Sequence, residues 1–481
     1  MEVALYLPVP LFGYLSDRLG PGPPSVLAGV LFGFGYVLAA FTYKAGQPPE
    51  RGGEGWPVWV MVLAFVGIGM GTASMYLSAV STCAKNFGRG KNRGFALAVP
   101  IAAYGLSGMW QCQVGSRLLY ERLPDGSRGD VDVFLFFIFL SITLLAVGIV
   151  GGFLLRVIDE EDLIDEAVEE LEQSGLLGDD QYYRSALARH YGTMEPQDLS
   201  DSQAEFLRSE AEVVMLRSLE DKEKKKWLLN EETKLFLSDR TMWWLAAGFF
   251  LVTGPGEAFI NNMGTIIGTL YPPSTSVLKQ TSPATHVSIV AITSTVARLI
   301  TGSLTDMLAP TAVPNQHRRG PRSLRSSIVS LPPIESKPLT VSRLTFLMGF
   351  SFLLSVGQLI LASGLIQKHG ERFWIVSSFI GAGYGAVFSL VPIIISVVWG
   401  VENFGTNWGI VAMVPAFGAA LWGMVYSGVY QYAAHGKSRC FGAACYAPTF
   451  WAMSISVWIA CCLWIYAWRG PRGWIARGIA I

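Results

Sequence analysis

Long apolar segments alternate with short polar connections along this chain. Windows such as Pro57–Val80, Val131–Leu155 and Trp374–Trp399 carry almost no ionisable residue. Each is close to or above the roughly 20 residues that a helix needs to cross about 30 Å of hydrocarbon. A soluble protein of this length buries at most one such helix, whereas here they follow one another. The pattern predicts an all-α polytopic membrane protein.

About eleven segments meet this criterion of length and composition. Five of these segments, the first of which is short, precede a long polar stretch, Asp159–Arg240, and the other six follow it. The predicted spans are Glu2–Leu15, Ser25–Tyr43, Pro57–Cys83, Gly94–Leu119, Val131–Leu155, Met242–Leu270, His286–Leu308, Leu344–Ile366, Phe373–Trp399, Asn407–Tyr430 and Thr449–Trp468.

Basic residues are concentrated in alternate loops, including the ranges 85–93 and 318–325 and the C-terminal tail. By the positive-inside rule, these loops, the long polar stretch and the C-terminus face the cytosol. The predicted organisation is an N-terminal helical bundle over residues 1–157, a cytosolic linker over 158–240 and a six-helix bundle over 241–481.

The charge balance and the chemistry of the polar residues exclude several function classes. Lys plus Arg and Asp plus Glu both number 36, so electrostatics imply no nucleic-acid partner. The five His are scattered, and the sequence shows no nucleotide loop, metal-spaced His/Cys cluster or Ser/His/Asp arrangement. We therefore expect no enzymatic activity, no cofactor and no metal, and the lipid bilayer as the main partner.

Two cysteines, Cys440 and Cys445, fall in one short loop. In the predicted topology this loop lies on the side opposite the cytosol, where a disulfide persists if the compartment is oxidising. Their spacing alone does not decide between a disulfide and two free thiols.

A Gly-x-x-x-Asp pattern occurs twice, from Gly13 to Asp17, followed by Arg18, and from Gly302 to Asp306. Each copy lies at the predicted cytosolic end of a span. Gly allows close helix approach, and Asp can receive a basic group or the N-terminal N–H groups of a neighbouring helix. We expect the two copies to gate the cytosolic side by holding one conformation closed. The alternative is that they are ordinary polar residues at helix ends.

The first copy, Gly13-Tyr-Leu-Ser-Asp17-Arg18-Leu-Gly20, resembles the cytosolic-loop signature of the major facilitator superfamily. It departs from that signature at Pro21-Gly-Pro-Pro, where a basic pair is usual. The stretches Tyr6–Tyr14 and Thr253–Gly264 resemble a fungal group of monocarboxylate-permease homologues, which are probable vacuolar transporters related to nodulin-like proteins.

This resemblance implies the major facilitator fold, with twelve spans in two helical bundles. It also implies a vacuolar membrane location, with the plasma membrane as the alternative. Members of the group begin with a further span before the motif at Tyr6–Tyr14. We therefore expect that the first span is missing here, through either a truncated gene model or a genuine short form.

Ionisable and amide side chains inside a span are candidate substrate contacts, because they are costly in hydrocarbon. Glu257, Asn261 and Asn262 follow the sequence Gly254-Pro-Gly256, which predicts an interrupted helix whose freed backbone groups face a cavity. Glu257 and Asn261 are one turn apart and share a face. Glu257 is the candidate carrier of a coupling proton if its site is dry. The alternative is an interfacial carboxylate neutralised by a fixed partner.

Arg298 lies in the middle of its predicted span. It resembles the Arg that binds carboxylate in monocarboxylate transporters, which implies an anion contact. Those proteins place an Asp one turn earlier, where this chain has Ser294, so a simple Asp–Arg proton-coupled mechanism does not transfer. The alternative is a structural ion pair with Asp306 or Glu257.

The linker sequence Glu172-Gln-Ser-Gly-Leu176-Leu177 resembles an acidic dileucine sorting signal, which implies a sorting adaptor as a partner. Together these features predict a secondary active transporter of a small organic anion such as a monocarboxylate, working by alternating access, with a proton as the candidate coupling ion. The alternatives are a membrane receptor or sensor on the same fold, which does not transport, and an inactive truncated form.

Overall fold

The computed structural model describes residues 2–49, 52–88, 90–122, 128–158, 231–272, 281–310, 340–367, 369–437 and 439–481. The chain divides into two compact units. One unit combines a first segment, Met1–Leu155, with a second segment, Phe236–Ile481, and the other is Arg156–Leu235. The predicted spans lie in the unit that combines the two segments. The predicted domain boundaries at 157 and 240 stay a prediction.

Helices make up nearly all the regular structure of the described residues. A short antiparallel pair of strands, β1 (Tyr120–Arg122) and β2 (Arg128–Val131), connects two of them. The helices are α1 (Glu2–Tyr6), α2 (Val9–Leu19), α3 (Gly22–Lys44), α4 (Val58–Phe87), α5 (Arg93–Leu118), α6 (Val133–Leu154), α7 (Glu231–Ser238), α8 (Arg240–Asn261), α9 (Met263–Leu270), α10 (Pro283–Leu308), α11 (Arg343–Ala362), α12 (Phe373–Val398), α13 (Phe404–Ala412), α14 (Val414–Ala434) and α15 (Ala447–Arg469).

In the described part of the chain, nine spans are long and apolar enough to cross a membrane, or ten if α7 and α8 form one span. The predicted multi-pass helical fold is thus confirmed, but the expected count of about eleven is not reached. The first predicted span, Glu2–Leu15, forms the two short helices α1 and α2. Pro8 and Pro10 have no N–H to donate to the preceding turn, so the helix is interrupted between α1 and α2.

The interruption predicted at Gly254-Pro-Gly256 is wrong, because α8 runs through it to Asn261 and the helix breaks at Asn262. Pro255 cannot donate to the carbonyl of Leu251. The hydroxyl of Ser456 in α15 lies 2.9 Å from that oxygen and 2.7 Å from the carbonyl of Met453 in its own helix, so its one proton is shared between the two acceptors. Such replacement of the lost bond by a neighbouring helix is what permits Pro within a membrane helix.

The two segments meet along helix pairs that bring distant parts of the sequence together. Helix α2 packs against α13, and α5 packs against α10. These two contacts position Asp17, Asp306 and Arg298, which are discussed below.

The loop between α14 and α15 contains a disulfide. It joins Cys440 and Cys445, whose Cα atoms are 6.0 Å apart. The pairing left open by the sequence is therefore present. Helices α13 and α14 together form one candidate span. The loop follows α14, so it lies at the opposite end of this span from the contact of α13 with α2.

The Ser456→Ala substitution should destabilise the protein, because it leaves the Leu251 carbonyl without the donor that replaces the N–H missing at Pro255. We expect a loss of about 1 kcal/mol, the usual worth of a hydrogen bond between membrane helices. The measurement is thermal unfolding in detergent. Ser351→Ala is the matched control, since the buried Ser351 hydroxyl donates only to Leu347 of its own helix. Equal losses in the two variants would contradict this account.

Candidate functional site

Asp17, in α2, binds the N-terminus of α13. Its carboxylate accepts from the N–H of Gly405 at 3.2 Å and from the N–H of Thr406 at 2.7 Å, and also from the Thr406 hydroxyl at 2.8 Å. The ammonium of Lys85 lies 2.9 Å from the same carboxylate. The first N–H groups of a helix have no partner within it and favour a negative charge, so Asp17 joins the first segment to the second.

Asp306, in α10, binds the N-terminus of α5 in the same way. Its two carboxylate oxygens accept from the N–H groups of Gly94 and Phe95, each at 2.7 Å. These are the second and third residues of α5, just as Gly405 and Thr406 are of α13. Here the carboxylate belongs to the second segment and the helix to the first, so the arrangement is reciprocal.

The glycine of each Gly-x-x-x-Asp motif lies directly on the helix that the Asp binds. A Cβ at Gly302 would lie 2.7 Å from the carbonyl oxygen of Gly94, and a Cβ at Gly13 would overlap the carbonyl of Gly405. Each glycine therefore allows the approach that brings its Asp within hydrogen-bonding distance of the helix. We refer to the contacts of Asp17 with α13 and of Asp306 with α5 as the paired Asp–helix contacts.

Arg18 takes no part in these contacts. It is exposed and donates to the hydroxyl of Tyr14 in its own helix at 3.2 Å. The basic residue beside Asp17 is Lys85 rather than Arg18. The sequence indicated only that Lys85 belongs to a basic loop. No local spacing relates Lys85 to Asp17, because the ion pair depends on how α2 packs against α4.

Glu257 lies between hydroxyl groups from both segments. Its Oε1 accepts from Tyr6 of α1 at 2.9 Å and from Tyr384 of α12 at 2.5 Å. Gly256, the residue before it, lies against the Tyr384 ring, and a Cβ there would overlap the ring. The Gly-Pro-Gly sequence therefore provides space for Tyr384 beside the carboxylate rather than a break in the helix.

Arg298 of α10 is 5% exposed and contacts the first segment. Its Nη1 donates to the carbonyl oxygen of Ile101 in α5 at 2.7 Å. Its Nε is buried and has no hydrogen-bond partner among the described residues. The alternative of an ion pair with Asp306 is wrong, because the carboxylate of Asp306 instead accepts from the N-terminus of α5.

Arg298 and Glu257 share their surroundings. Both interact electrostatically with Tyr104 and Tyr384, and also with each other. The ring of Tyr104 is 5.3 Å from that of Tyr76, which also interacts electrostatically with Arg298. We call Tyr6, Glu257, Arg298 and Tyr384 the central site. It combines a buried cation, a carboxylate and two hydroxyl groups, drawn from both segments.

The two asparagines lie at the end of α8, beyond Glu257. The side-chain nitrogen of Asn262 donates to the carbonyl of Ala258 at 2.9 Å, so it satisfies the end of its own helix. Asn261 is exposed. The sorting pattern at Glu172, Leu176 and Leu177 lies outside the described residues.

Comparison with known proteins bears on both family and fold. Residues 4–423 match the Major Facilitator Superfamily. The chain is 53% identical to "Probable transporter mch1" of Neurospora crassa, over 99% of this chain and 83% of that protein. It is 54% identical to the protein of the same name from Aspergillus fumigatus, over 100% of this chain and 80% of that protein.

Solved structures show the same fold at much lower identity. The proton:xylose symporter XylE aligns with a TM-score of 0.59 and 13% identity, over 98% of this chain and 84% of that one. A bacterial homologue of the iron transporter ferroportin aligns with a TM-score of 0.54 and 9% identity, over 96% and 87% of the two chains. At these identities the likeness concerns the fold alone.

The resemblance to the monocarboxylate-permease homologues, predicted from the sequence, is confirmed by these relatives. The apolar helices and the family match together define a multi-pass membrane protein with a transporter fold. The chain belongs to the Major Facilitator Superfamily.

Proposed function

We propose that this protein is a secondary transporter that moves a small organic anion, such as a monocarboxylate, across the vacuolar membrane by alternating access. A proton is the proposed coupling ion. The observation that carries the proposal is Arg298, a buried cation near Glu257 whose Nε has no hydrogen-bond partner among the described residues. The buried Arg343 also has an unpartnered Nε, but it begins α11 and donates to the carbonyl of Pro310, outside the central site.

A buried arginine with an unused donor favours an anionic ligand. Intramembrane charges are costly and mark substrate or ion pathways. A buried donor without a partner costs about 1–3 kcal/mol, and a carboxylate that occupies it removes this cost with a charge-assisted hydrogen bond. Arg298 is therefore the proposed anion contact, and Asn261 remains a proposed polar contact for the rest of the substrate. For Asn262, the local bond to Ala258 favours a structural role.

Glu257 is the proposed proton-coupling group. When charged, its Oε1 accepts from Tyr6 of the first segment and from Tyr384 of the second. Protonation removes the negative charge that strengthens both hydrogen bonds. It also adds an O–H donor to the carboxyl group, next to the two hydroxyl groups that donate to it. A proton on Glu257 therefore weakens the Tyr6 link between the segments.

The paired Asp–helix contacts are the proposed gate. Asp17 and Asp306 close the same end of the protein from opposite segments, and Gly13 and Gly302 allow the close approach. The positive-inside pattern favours the cytosolic side for this end. Alternating access then requires both contacts to break together while the central site changes the side to which it opens.

The vacuolar location rests on the resemblance to vacuolar transporters and on the acidic dileucine pattern at Glu172, Leu176 and Leu177. The choice of a monocarboxylate rests on the same resemblance. A proton as coupling ion is chemically consistent with Glu257, and one protein of the same fold is described as a proton:xylose symporter.

Transport is tested in vesicles that contain the full chain, using labelled acetate, lactate and pyruvate. We expect uptake and counterflow of at least one of them. Arg298→Ala should reduce uptake about ten- to a hundredfold, because it removes a hydrogen bond to a charged group. Arg469→Ala is the control, since Arg469 is exposed and lies over the ring of Trp468. Normal uptake by Arg298→Ala would contradict the anion contact, and absence of counterflow would favour a receptor.

Coupling is tested in the same vesicles with Glu257→Gln, which mimics the protonated carboxyl group. We expect accumulation driven by a pH gradient to disappear while exchange of internal for external substrate persists, since exchange needs no net proton movement. Glu371→Gln is the control, because Glu371 is exposed and pairs with His369. Gradient-driven accumulation by Glu257→Gln at the normal level would refute the coupling role.

The gate is tested with a cysteine at the fully buried Thr305, beside Gly94, in a chain that lacks the other reactive cysteines. Asp17→Asn should raise the rate at which N-ethylmaleimide labels this cysteine on the order of tenfold, because the amide loses the charge that holds α13. Asp132→Asn is the control, since Asp132 caps α6 within one segment, where Asn is an equally good cap. An unchanged labelling rate in Asp17→Asn would contradict the idea that both contacts gate one movement.

A further inference from the structure

Gly105 in α5 lies directly against the guanidinium group of Arg298. A Cβ built at Gly105 would overlap Nη1 of Arg298, and it would lie 3.2 Å from Cζ and 3.4 Å from the hydroxyl oxygen of Thr295. The absent side chain of Gly105 therefore forms the space that the guanidinium group occupies where α5 meets α10.

The hydrogen bond of Arg298 falls at the same helical turn. Its Nη1 donates to the carbonyl of Ile101, which is four residues before Gly105 and one turn away along α5. This is the only side-chain hydrogen bond of Arg298 within the described residues, and it leaves Nε without a partner. One corner of the guanidinium group is thus held by the main chain of the opposite segment, next to the gap at Gly105.

The shape of the guanidinium group determines what the remaining edge can bind. The group is planar, with five N–H donors in a fixed fork, and a carboxylate pairs with two parallel donors. When Nη1 is used by Ile101, the opposite edge, formed by Nε and Nη2, still presents two parallel donors. A rigid fork of this kind matches a carboxylate better than a point charge such as a lysine ammonium does.

We infer that Gly105 is a positioning residue for the substrate. By leaving room for Nη1 at the Ile101 carbonyl, it orients Arg298 so that the Nε–Nη2 edge receives the carboxylate of the transported anion. This inference rests on the proposed function and deepens it, because it assigns the orientation of Arg298, and with it the preference for a carboxylate, to a residue without a side chain.

The contact between Gly105 and Arg298 is tested by thermal unfolding of the full chain in a double-mutant cycle. Gly105→Ala should lower the melting temperature by about 2 to 4 °C, because the added methyl group overlaps a buried side chain. In the Arg298→Ala background the same substitution should leave it unchanged or raise it slightly, because the space is then empty and Ala has a higher helix propensity than Gly. Gly108→Ala is the matched control: it lies in the same helix, and nothing lies within 4 Å of a Cβ there.

The positioning role is tested by uptake kinetics with labelled acetate, lactate and pyruvate. Gly105→Ala should raise the apparent KM about tenfold for whichever of them is transported and change Vmax by less than about twofold, since a misdirected fork weakens substrate binding. Gly108→Ala should leave both parameters unchanged. A purely structural role would instead lower Vmax through loss of folded protein and leave KM unchanged.

The outcomes separate the two proposals. Equal melting shifts for Gly105→Ala in both backgrounds, or an unchanged KM, would overturn the inference even if the wild-type chain transports these anions. If the wild-type chain takes up none of the three, the proposed substrate class fails and the anion-orienting role fails with it. The melting cycle then still decides whether Gly105 sets the position of Arg298.

Discussion

Hydrocarbon provides no hydrogen-bonding partner, so each polar group between the helices of this protein depends on another part of the chain for one. The Ser456 hydroxyl satisfies the Leu251 carbonyl that Pro255 leaves free. The carboxylates of Asp17 and Asp306 satisfy the N-termini of α13 and α5. Several buried side-chain atoms of the described residues have no such partner, among them the Nε atoms of Arg298 and Arg343, and only Arg298 belongs to the central site.

The two segments share a buried apolar cluster and are also joined by a small number of local polar contacts. Asp17, Asp306, Tyr6 and Arg298 each join the segments through hydrogen bonds to a helix end, a carboxylate or a carbonyl. Such bonds break at modest cost when water or a ligand replaces one partner. The polar contacts at one end can therefore break while the packing within each segment is kept, as alternating access requires.

The sequence alone indicated the residues with an intrinsic signal and missed those whose importance comes from a partner. Glu257 and Arg298 stand out because they are ionisable in apolar spans, and the Gly-x-x-x-Asp motifs because they repeat. Tyr6 lies 251 residues from Glu257, and no periodicity relates the two. Gly105 and the Ile101 carbonyl carry no recognisable chemistry, since one lacks a side chain and the other acts through its main chain. The helix break was misplaced because the Ser456 hydroxyl that stabilises Pro255 belongs to another helix.

The charges of the central site give a physical reason for coupling one anion to one proton. Without ligands, Arg298 and Glu257 sum to zero. Under the proposed function, an anion on Arg298 and a proton on Glu257 also sum to zero, whereas either ligand alone leaves a net charge. Exposing a net charge to the low-dielectric interior during the conformational change is costly, while a neutral site is not. Under the proposed function, the empty and the fully loaded forms cross readily and the half-loaded forms do not, so that cotransport follows from charge balance rather than from a direct contact between the two ligands.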